Sequence, residues 1–243
     1  MAKRRKKKSS SFRSFILITV AVFSIAVAYN YFVTRPRHNS ITEIGELPEG
    51  FISHGIDISH YQGDINWSLF NSDKRIGFVY CKSTEGKTII DQNWAAYSDA
   101  LSNLDISFGA YHFFHPSVDP IEQAEHFLKH SKLNESHLSP VIDIETDEHH
   151  QDFIQSISKW LSHVQQKTGR QPIIYTSYHL YKTKLKEAFP SYQFWIANYS
   201  NRVDRFVNDS LIIHWQYSEN GRVAGIDNTV DLNYSKIDFS RSE

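Results

Sequence analysis

Two acidic residues separated by one isoleucine lie at the end of an apolar segment, 140–146 (PVIDIET). In an extended strand, residues i and i+2 share a face and lie about 7 Å apart, so Asp143 and Glu145 are predicted to point to the same side. Such a pair suits hydrolysis of a glycosidic bond. One carboxyl group must donate a proton to the leaving oxygen while other carboxylates stabilise the positive charge that develops on the sugar.

The same acids also have a structural interpretation. An amphipathic helical pattern begins at Asp152, and acidic residues are favoured near helix N-termini. Asp143 and Glu145, together with Asp147 and Glu148, could therefore serve only to cap that helix. The distribution of polar residues over the rest of the chain favours the catalytic interpretation.

From His54 onward, short β-rich segments alternate with helical patterns. Strands are predicted at 55–59, 77–83, 107–114, 140–145, 172–177, 194–198, 211–217 and 229–233, and helices at 91–104, 120–133, 152–168 and near 178–189. Eight strands alternating with helices predict an α/β fold, a TIM-like β/α barrel. The last three connections are too short for full crossover helices, because parallel strands need a dozen or more connecting residues. The barrel is therefore expected to be irregular, with helices missing after its last strands.

Polar residues recur on these strands at or near their C-terminal ends, where barrel active sites lie. In chain order they are Asp57, Glu85, His112, His115, Asp143, Glu145, Tyr175, Asn198, Gln216, Asp231 and Asn233. Each has a structural alternative, since a lone acid is often ion-paired and a lone histidine is more often a hydrogen-bonded core residue than a catalyst. Their recurrence in register indicates one polar site.

Several of these segments resemble the family 25 glycoside hydrolases, which are lysozymes, or N-acetylmuramidases. They are 54–63 (HGIDISHYQG), 78–86 (FVYCKSTEG), 109–114 (GAYHFF), 140–145 (PVIDIE), 195–199 (WIANY), 215–217 (WQY) and 230–233 (VDLN), and they span roughly residues 52–240. The resemblance implies a β/α barrel with irregular last strands. It also implies cleavage of the β-1,4 bond between N-acetylmuramic acid and N-acetylglucosamine in peptidoglycan glycan strands. Nothing in it calls for a metal or a cofactor.

The resemblance implies a role for each matching residue. Glu145 matches the proton donor, and desolvation at the end of an apolar strand would raise its pKa. Asp143 and Asp57 match acids that hold the acetamido group or stabilise the cationic transition state, and Asp231 matches a further acid. The resemblance leaves the mechanism open between substrate-assisted retention and direct displacement. The residues expected to line the substrate groove or form its rim are Tyr111, His112, Tyr175, Trp195, Trp215, Gln216, Lys82 and Glu85.

Other interpretations compete with these roles. Tyr111, Tyr175, Trp195 and Trp215 could each pack between barrel and helices instead of stacking on sugars. A chitinase or endo-N-acetylglucosaminidase would use a similar strand, but those families resemble a longer acid series, D-x-x-D-x-D-x-E, of which only the last two acids stand here. A non-catalytic peptidoglycan-binding module would need to have lost Glu145.

Two histidine pairs raise the question of a metal. His126 and His130 are spaced i, i+4 on a predicted helix, but the H-E-x-x-H pattern of zinc hydrolases is absent. His149 and His150 are expected at the surface. No metal site is predicted.

The first 33 residues predict a membrane element. Residues 1–14 contain seven Lys and Arg and no acid, and residues 15–33 are almost wholly apolar. About 19 apolar residues just span a bilayer, and the basic flank is expected to stay cytoplasmic, leaving a catalytic domain in the periplasm or at the cell surface. A signal peptide cleaved near Ala28 is the alternative. Residues 34–50 are predicted to be a linker, and 51–243 the catalytic barrel.

Charge and cysteine content narrow the function classes. Nine of the 26 Lys and Arg lie in residues 1–37, so residues 38–243 hold 17 of them against all 27 Asp and Glu, a formal charge of −10. An acidic domain argues against nucleic acid as a partner. Cys81 is the only cysteine, so no disulfide can form within one molecule, and stability must come from the core. The oligomeric state stays open.

Overall fold

The computed structural model describes residues 41–146, 152–200 and 203–241. The predicted membrane element at 15–33, the basic segment before it, and the residues Asp147, Glu148, His149 and His150 lie outside these ranges. Across the described ranges, no helix combines the length and the apolar character needed to cross a bilayer.

Eight strands close into a barrel. The strand order is β1-β9-β8-β7-β6-β5-β4-β2, and β1 pairs with β2 to close the ring. A ninth, two-residue strand, β3, pairs only with the end of β2. The strands are β1 (Ser53–Ile58), β2 (Ile76–Glu85), β3 (Ile89–Ile90), β4 (Ser107–Phe113), β5 (Val141–Ile144), β6 (Ile173–Ser177), β7 (Phe194–Ala197), β8 (Ile212–Gly221) and β9 (Val230–Ser235).

The irregularity predicted for the end of the barrel is confirmed. Strand β9 runs antiparallel to both of its neighbours, β1 and β8, whereas the other barrel pairings are parallel. The eight residues 222–229 between β8 and β9 are too few for a crossover, so the chain turns back as a hairpin. Among the described residues, the only helix between β7 and β8 is a short one.

The helices form an outer layer on the barrel. They are α1 (Trp67–Ser72), α2 (Trp94–Ser102), α3 (Pro120–Ser131), α4 (Phe153–Thr168), α5 (Tyr178–Leu180), which continues through a π-helical stretch (Tyr181–Leu185) into α6 (Lys186–Ala188), and α7 (Asp204–Val207); a 3-10 turn (His60–Gln62) follows β1. In α3 the carboxylate of Asp119 accepts hydrogen bonds from the backbone amides of Ile121 and Glu122, a helix N-cap. Helix α4 ends at Thr168 and is capped by Gly169, whose φ of 69° suits glycine.

The two faces of each parallel strand have separate environments. On β5, Ile142 and Ile144 pack outward into the core shared with the helices, while Val141 packs into an inner cluster. The outer core includes a buried stripe of the amphipathic helix α4. The ring centroids of Trp160 on α4 and Phe127 on α3 lie 5.4 Å apart. Alternate residues of β5 therefore face two different environments, as the geometry of an extended strand requires.

Residues 41–50 correct the predicted linker. The Thr42 backbone amide donates to the Asn220 carbonyl at 2.9 Å, and the Arg222 amide donates to the Thr42 carbonyl at 3.1 Å. Ile44 is buried in the outer core. This stretch therefore belongs to the folded unit. Its proline and glycine content led to the prediction of a linker. In the structure, the stretch is hydrogen-bonded to the end of β8 and buries one apolar side chain, Ile44.

Gly55, on the inner face of β1, provides a test of barrel packing. A Cβ at Gly55 would lie 2.3 Å from atoms of the Phe78 ring. We expect Gly55→Ala to destabilise the fold by about 1–3 kcal/mol, because an added methyl group in a packed core forces neighbours to move. Gly45→Ala is the control, since a Cβ there meets no atom within 4 Å. The measurement is the urea midpoint of unfolding, and equal midpoints for the two variants would contradict the packing account.

Candidate active site

A cavity opens at the C-terminal ends of the parallel strands. Eight of the twelve predicted site residues line it together with Val141, and the full set is Asp57, Tyr111, Val141, Asp143, Glu145, Tyr175, Trp195, Gln216 and Asp231. Neighbouring strands position them in register, as in the pairing of Asp143 with Tyr175 and of Tyr175 with Trp195. Four carboxyl groups therefore face one space.

Asp143, on β5, is more deeply buried than Glu145. Its side chain is buried, and no group among the described residues hydrogen-bonds its Oδ1 atom. Burial raises the pKa of Asp143 well above the usual aspartate range, and the nearby charges of Glu145 and Asp57 raise it further, against the opposing charge of Lys82. A buried oxygen without a partner is a costly feature that a bound ligand would relieve.

Glu145 follows the last residue of β5 and stands at the cavity mouth. Although the residue is exposed, the surrounding wall removes enough water to raise the pKa of its carboxyl group. The charge of Lys82 opposes this shift and that of Asp57 adds to it. A raised pKa favours the protonated form, which a general acid needs.

Asp57 and Asp231 form the opposite wall. They are directly paired across the antiparallel strands β1 and β9, and their carboxyl groups share a hydrogen bond. Burial raises the pKa of both groups, and the negative charge of Asp57 raises the pKa of Asp231 further. The two carboxyl groups therefore influence each other's titration, and the titration steps belong to the pair.

Gln216 links this pair of acids to the hydroxyl groups of two tyrosines, Tyr175 and Tyr199. Its Nε2 group donates to Asp57 Oδ2 at 3.0 Å and to Asp231 Oδ2 at 3.3 Å. Its Oε1 atom accepts hydrogen bonds from the hydroxyl groups of Tyr175 at 2.8 Å and Tyr199 at 3.0 Å. All of the polar groups of the amide are engaged.

Lys82 and Glu85 form an ion pair beside the cavity without lining it. Lys82 Nζ lies 2.6 Å from Glu85 Oε2, and His115 Nε2 lies 3.0 Å from Glu85 Oε1. The ammonium group also sits 4.8 Å from the centre of the Phe113 ring. The positive charge of Lys82 lowers the pKa of both Asp143 and Glu145.

We expect Lys82→Met to move the alkaline limb of the pH–activity profile upward. Lys82 stabilises the ionised form of Glu145, so its removal raises the pKa of Glu145 and keeps this expected proton donor protonated to higher pH. The shift should be about 0.2–0.7 pH unit, since a partly exposed charge interaction is worth about 0.2–1 kcal/mol. Lys87→Met, which removes the exposed pair with Glu122, is the control. A downward shift for Lys82→Met would contradict this assignment.

Two predicted groove residues lie on the wrong side of their strands. His112 is fully buried on the outer face of β4, 2.8 Å from Thr84 Oγ1 and stacked on Trp160, and burial lowers its pKa to about 3. Trp215 packs against Phe206 in the outer core, and its indole N–H donates to the Asn198 carbonyl at 2.7 Å. Each is next in sequence to a cavity residue, and adjacent strand residues face opposite sides. For Trp215, the structure therefore shows the alternative role, packing between the barrel and the helices.

Accessibility separates the remaining aromatic residues. Trp195 is only 1% exposed, so it forms part of the cavity wall and offers no free face to a sugar. Tyr199 is 51% exposed, and its hydroxyl group bonds Gln216. No role was predicted for Tyr199, although this residue ends the segment 195–199 (WIANY) that resembles the family.

Asn233 was predicted to belong to the polar set at the strand ends, but it was given no individual role. Its Nδ2 group donates to Asp57 Oδ2 at 2.7 Å, and its Oδ1 atom accepts from the indole N–H of Trp195 at 2.8 Å. Its position two residues after Asp231 on β9 is the signal that could have assigned it, because residues i and i+2 share a strand face.

The histidine pair on α3 does not assemble a metal centre. His126 and His130 lie with ring centroids 4.7 Å apart, and His126 Nε2 is 2.9 Å from the Ile89 carbonyl oxygen. Within 41–146, 152–200 and 203–241, no group of three or more His, Cys, Asp or Glu residues could hold a metal ion.

Known proteins are similar to this chain in sequence and in architecture. The sequence model for glycosyl hydrolases family 25 matches residues 56–226, which include Asp57, Asp143 and Glu145. The uncharacterized protein YegX of Escherichia coli K12 is 32% identical over 194 residues, 77% of this chain and 71% of YegX. The autolytic lysozyme of Clostridium acetobutylicum is 31% identical over 186 residues, 73% of this chain and 54% of that protein. A family 25 glycosyl hydrolase structure from Bacillus anthracis superposes with a TM-score of 0.71 at 24% identity, covering 79% of this chain and 93% of its own.

Proposed function

The chain belongs to glycosyl hydrolases family 25, and from this premise we propose that it is a lysozyme. It hydrolyses the β-1,4 bond between N-acetylmuramic acid and N-acetylglucosamine in peptidoglycan. The observation that carries the proposal is the cavity in which Asp143 on β5 and Glu145 just after that strand meet Asp57 and Asp231 from the opposite wall. Relatives that are lysozymes, such as the clostridial autolytic enzyme, support the same substrate.

Glu145 is the proposed proton donor. Its carboxyl group gives its proton to the glycosidic oxygen as the bond from that oxygen to the anomeric carbon of N-acetylmuramic acid breaks. The raised pKa of Glu145 keeps a larger fraction of the group protonated than in a free glutamate. Water supplies the hydroxyl group of the new reducing end and the proton that restores the acid.

Asp143 and Asp57 are proposed to stabilise the developing positive charge. Asp143 Oδ1, which has no hydrogen-bond partner among the described residues, is free to accept the N–H of the substrate's acetamido group. Orienting that group would suit attack by the acetamido oxygen on the anomeric carbon. Direct displacement by water would instead use the same carboxylates to stabilise the oxocarbenium ion.

A comparison of two polymers tests the substrate class. We expect the purified protein to release muropeptides from peptidoglycan and to leave chitin, a polymer of N-acetylglucosamine alone, intact. Cleavage of chitin at a similar rate would favour the chitinase-like alternative. Binding of peptidoglycan without product would favour a recognition module.

We further propose that residues 15–33 anchor the enzyme in the cell membrane, with the catalytic domain in the periplasm or at the cell surface. Support comes from the apolar run and its basic flank. The test is the mass of the mature protein recovered from membranes after carbonate washing. Full-length chain in the pellet supports the anchor, whereas soluble protein beginning near residue 29 supports a cleaved signal peptide.

A further inference from the structure

The Asp57 carboxylate receives two amide hydrogen bonds on one oxygen. Asn233 Nδ2 lies 2.7 Å and Gln216 Nε2 3.0 Å from Asp57 Oδ2, and Asp57 is only 7% exposed. A carboxylate oxygen has two lone pairs in its plane, and these two donors occupy both. A proton therefore has no place on Asp57 Oδ2.

The orientation of both amides follows from the chemistry of their neighbours. An indole N–H can only donate, so the Asn233 oxygen must face Trp195 and its NH₂ group must face Asp57. The hydroxyl groups of Tyr175 and Tyr199 both reach Gln216 Oε1, which leaves the Gln216 NH₂ group for the carboxyl groups. The aromatic residues thus hold two amides with their donors aimed at Asp57.

Asp231 has a weaker set of donors. Among the described residues, the only side-chain amide that donates to its carboxyl group is Gln216 Nε2, at 3.3 Å. Asp231 also shares a hydrogen bond with Asp57. When two buried carboxyl groups share one proton, the group with more and shorter hydrogen bonds from donors keeps the negative charge. That group is Asp57.

We propose that Gln216 and Asn233 are positioning residues that keep Asp57 ionised and leave the proton of the Asp57–Asp231 pair on Asp231. The inference rests on the proposed function in one respect. In the proposed hydrolysis, the negative charge of Asp57 stabilises the cationic transition state. Tyr199, half exposed at the cavity mouth, connects this arrangement to the surface where a glycan would bind. Loss of its hydroxyl group removes one of the two contacts that orient Gln216.

Carboxyl ¹³C NMR titration of the full-length protein tests the proposal without requiring activity. The variants are Asn233→Leu, which removes the shorter donor, and Tyr199→Phe, which removes only one phenol contact to Gln216. Asn228→Ala is the matched control, because the Asn228 amide donates to the Tyr61 carbonyl and touches no carboxylate. Loss of a hydrogen bond to a charged group should move the first titration step of the pair upward by about one pH unit in Asn233→Leu, with a smaller upward shift in Tyr199→Phe.

The acid limb of kcat/KM on soluble peptidoglycan provides the second measurement. It should move upward with the NMR titration while the alkaline limb stays in place, because only the group that must be ionised has changed. A purely structural role would lower the rate at every pH and leave both limbs where they were. Unchanged titration in Asn233→Leu, with Asn228→Ala also unchanged, would overturn the inference. An upward NMR shift in a protein without hydrolytic activity would uphold it and reject the proposed function.

Discussion

Glu145→Gln is expected to lower kcat on peptidoglycan by about 10²–10⁴-fold, the range that a positioned general acid contributes. Glutamine keeps the shape of the side chain but holds no proton that it can transfer to the glycosidic oxygen. Because Glu145 stands exposed at the cavity mouth, the substitution should leave folding unchanged. The KM for peptidoglycan should change little, since the substitution affects proton transfer and not the walls that hold the sugar.

The control for this prediction is Glu187→Gln, an exposed glutamate in α6 away from the cavity lining. It should retain full activity. The measurement is the initial rate of release of reducing sugar at saturating substrate. A Glu145→Gln enzyme with more than about a tenth of the wild-type kcat would mean that another group donates the proton.

Asp143→Asn should have the next largest effect, and it should change activity and stability in opposite directions. Loss of one electrostatic contact to a transition state typically costs about 10²–10³-fold in kcat. The carboxylate is buried and its Oδ1 atom has no partner among the described residues, so in the free enzyme it destabilises the fold. An uncharged amide of the same shape should therefore raise the melting temperature.

The stability gain should depend on pH. Burial holds the pKa of Asp143 above its value in the unfolded chain, so the folded state is penalised once the pH rises above that unfolded value. The difference in melting temperature between Asp143→Asn and wild type should be largest near neutral pH. It should vanish as the pH falls below the unfolded value of about 3.9.

Asp91→Asn is the matched control for the sign of this effect. Asp91 is equally buried, but it accepts hydrogen bonds from the His60 backbone amide at 3.0 Å and the Asn93 amide at 2.9 Å, and it contacts His60 Nδ1 at 2.8 Å. Its replacement should lower stability by about 1–3 kcal/mol. Paired calorimetric scans measure both variants, and a fall in melting temperature for Asp143→Asn would contradict the assigned environment.

The strand pattern was predictable because it depends on local periodicity. Alternation placed Asp143 on the inner face of β5, opposite the face of Ile142 and Ile144, and the short connection after β8 predicted an irregular end to the barrel. The same alternation rule explains the errors at His112 and Trp215. Both were assigned to the groove from the resemblance, although their neighbours Tyr111 and Gln216 already occupied the inner face.

The hydrogen-bond network around Asp57 was beyond sequence analysis. It joins Asp57 to Gln216 and Asn233, which lie 159 and 176 residues after Asp57 in the chain. No local propensity records which amide meets which carboxylate across a closed barrel. The antiparallel direction of β9 also decides that Asp231 stands directly opposite Asp57, and the expected set of eight strands did not specify that direction.

The most direct test of the central claim identifies which sugar carries each new reducing end. Purified wild-type protein and Glu145→Gln are incubated with peptidoglycan, and the products are reduced and analysed by mass spectrometry. We expect reduced N-acetylmuramic acid ends from the wild type and none above background from the variant. Ends on N-acetylglucosamine, or equal N-acetylmuramic acid ends from both proteins, would contradict a muramidase that uses Glu145 as its acid.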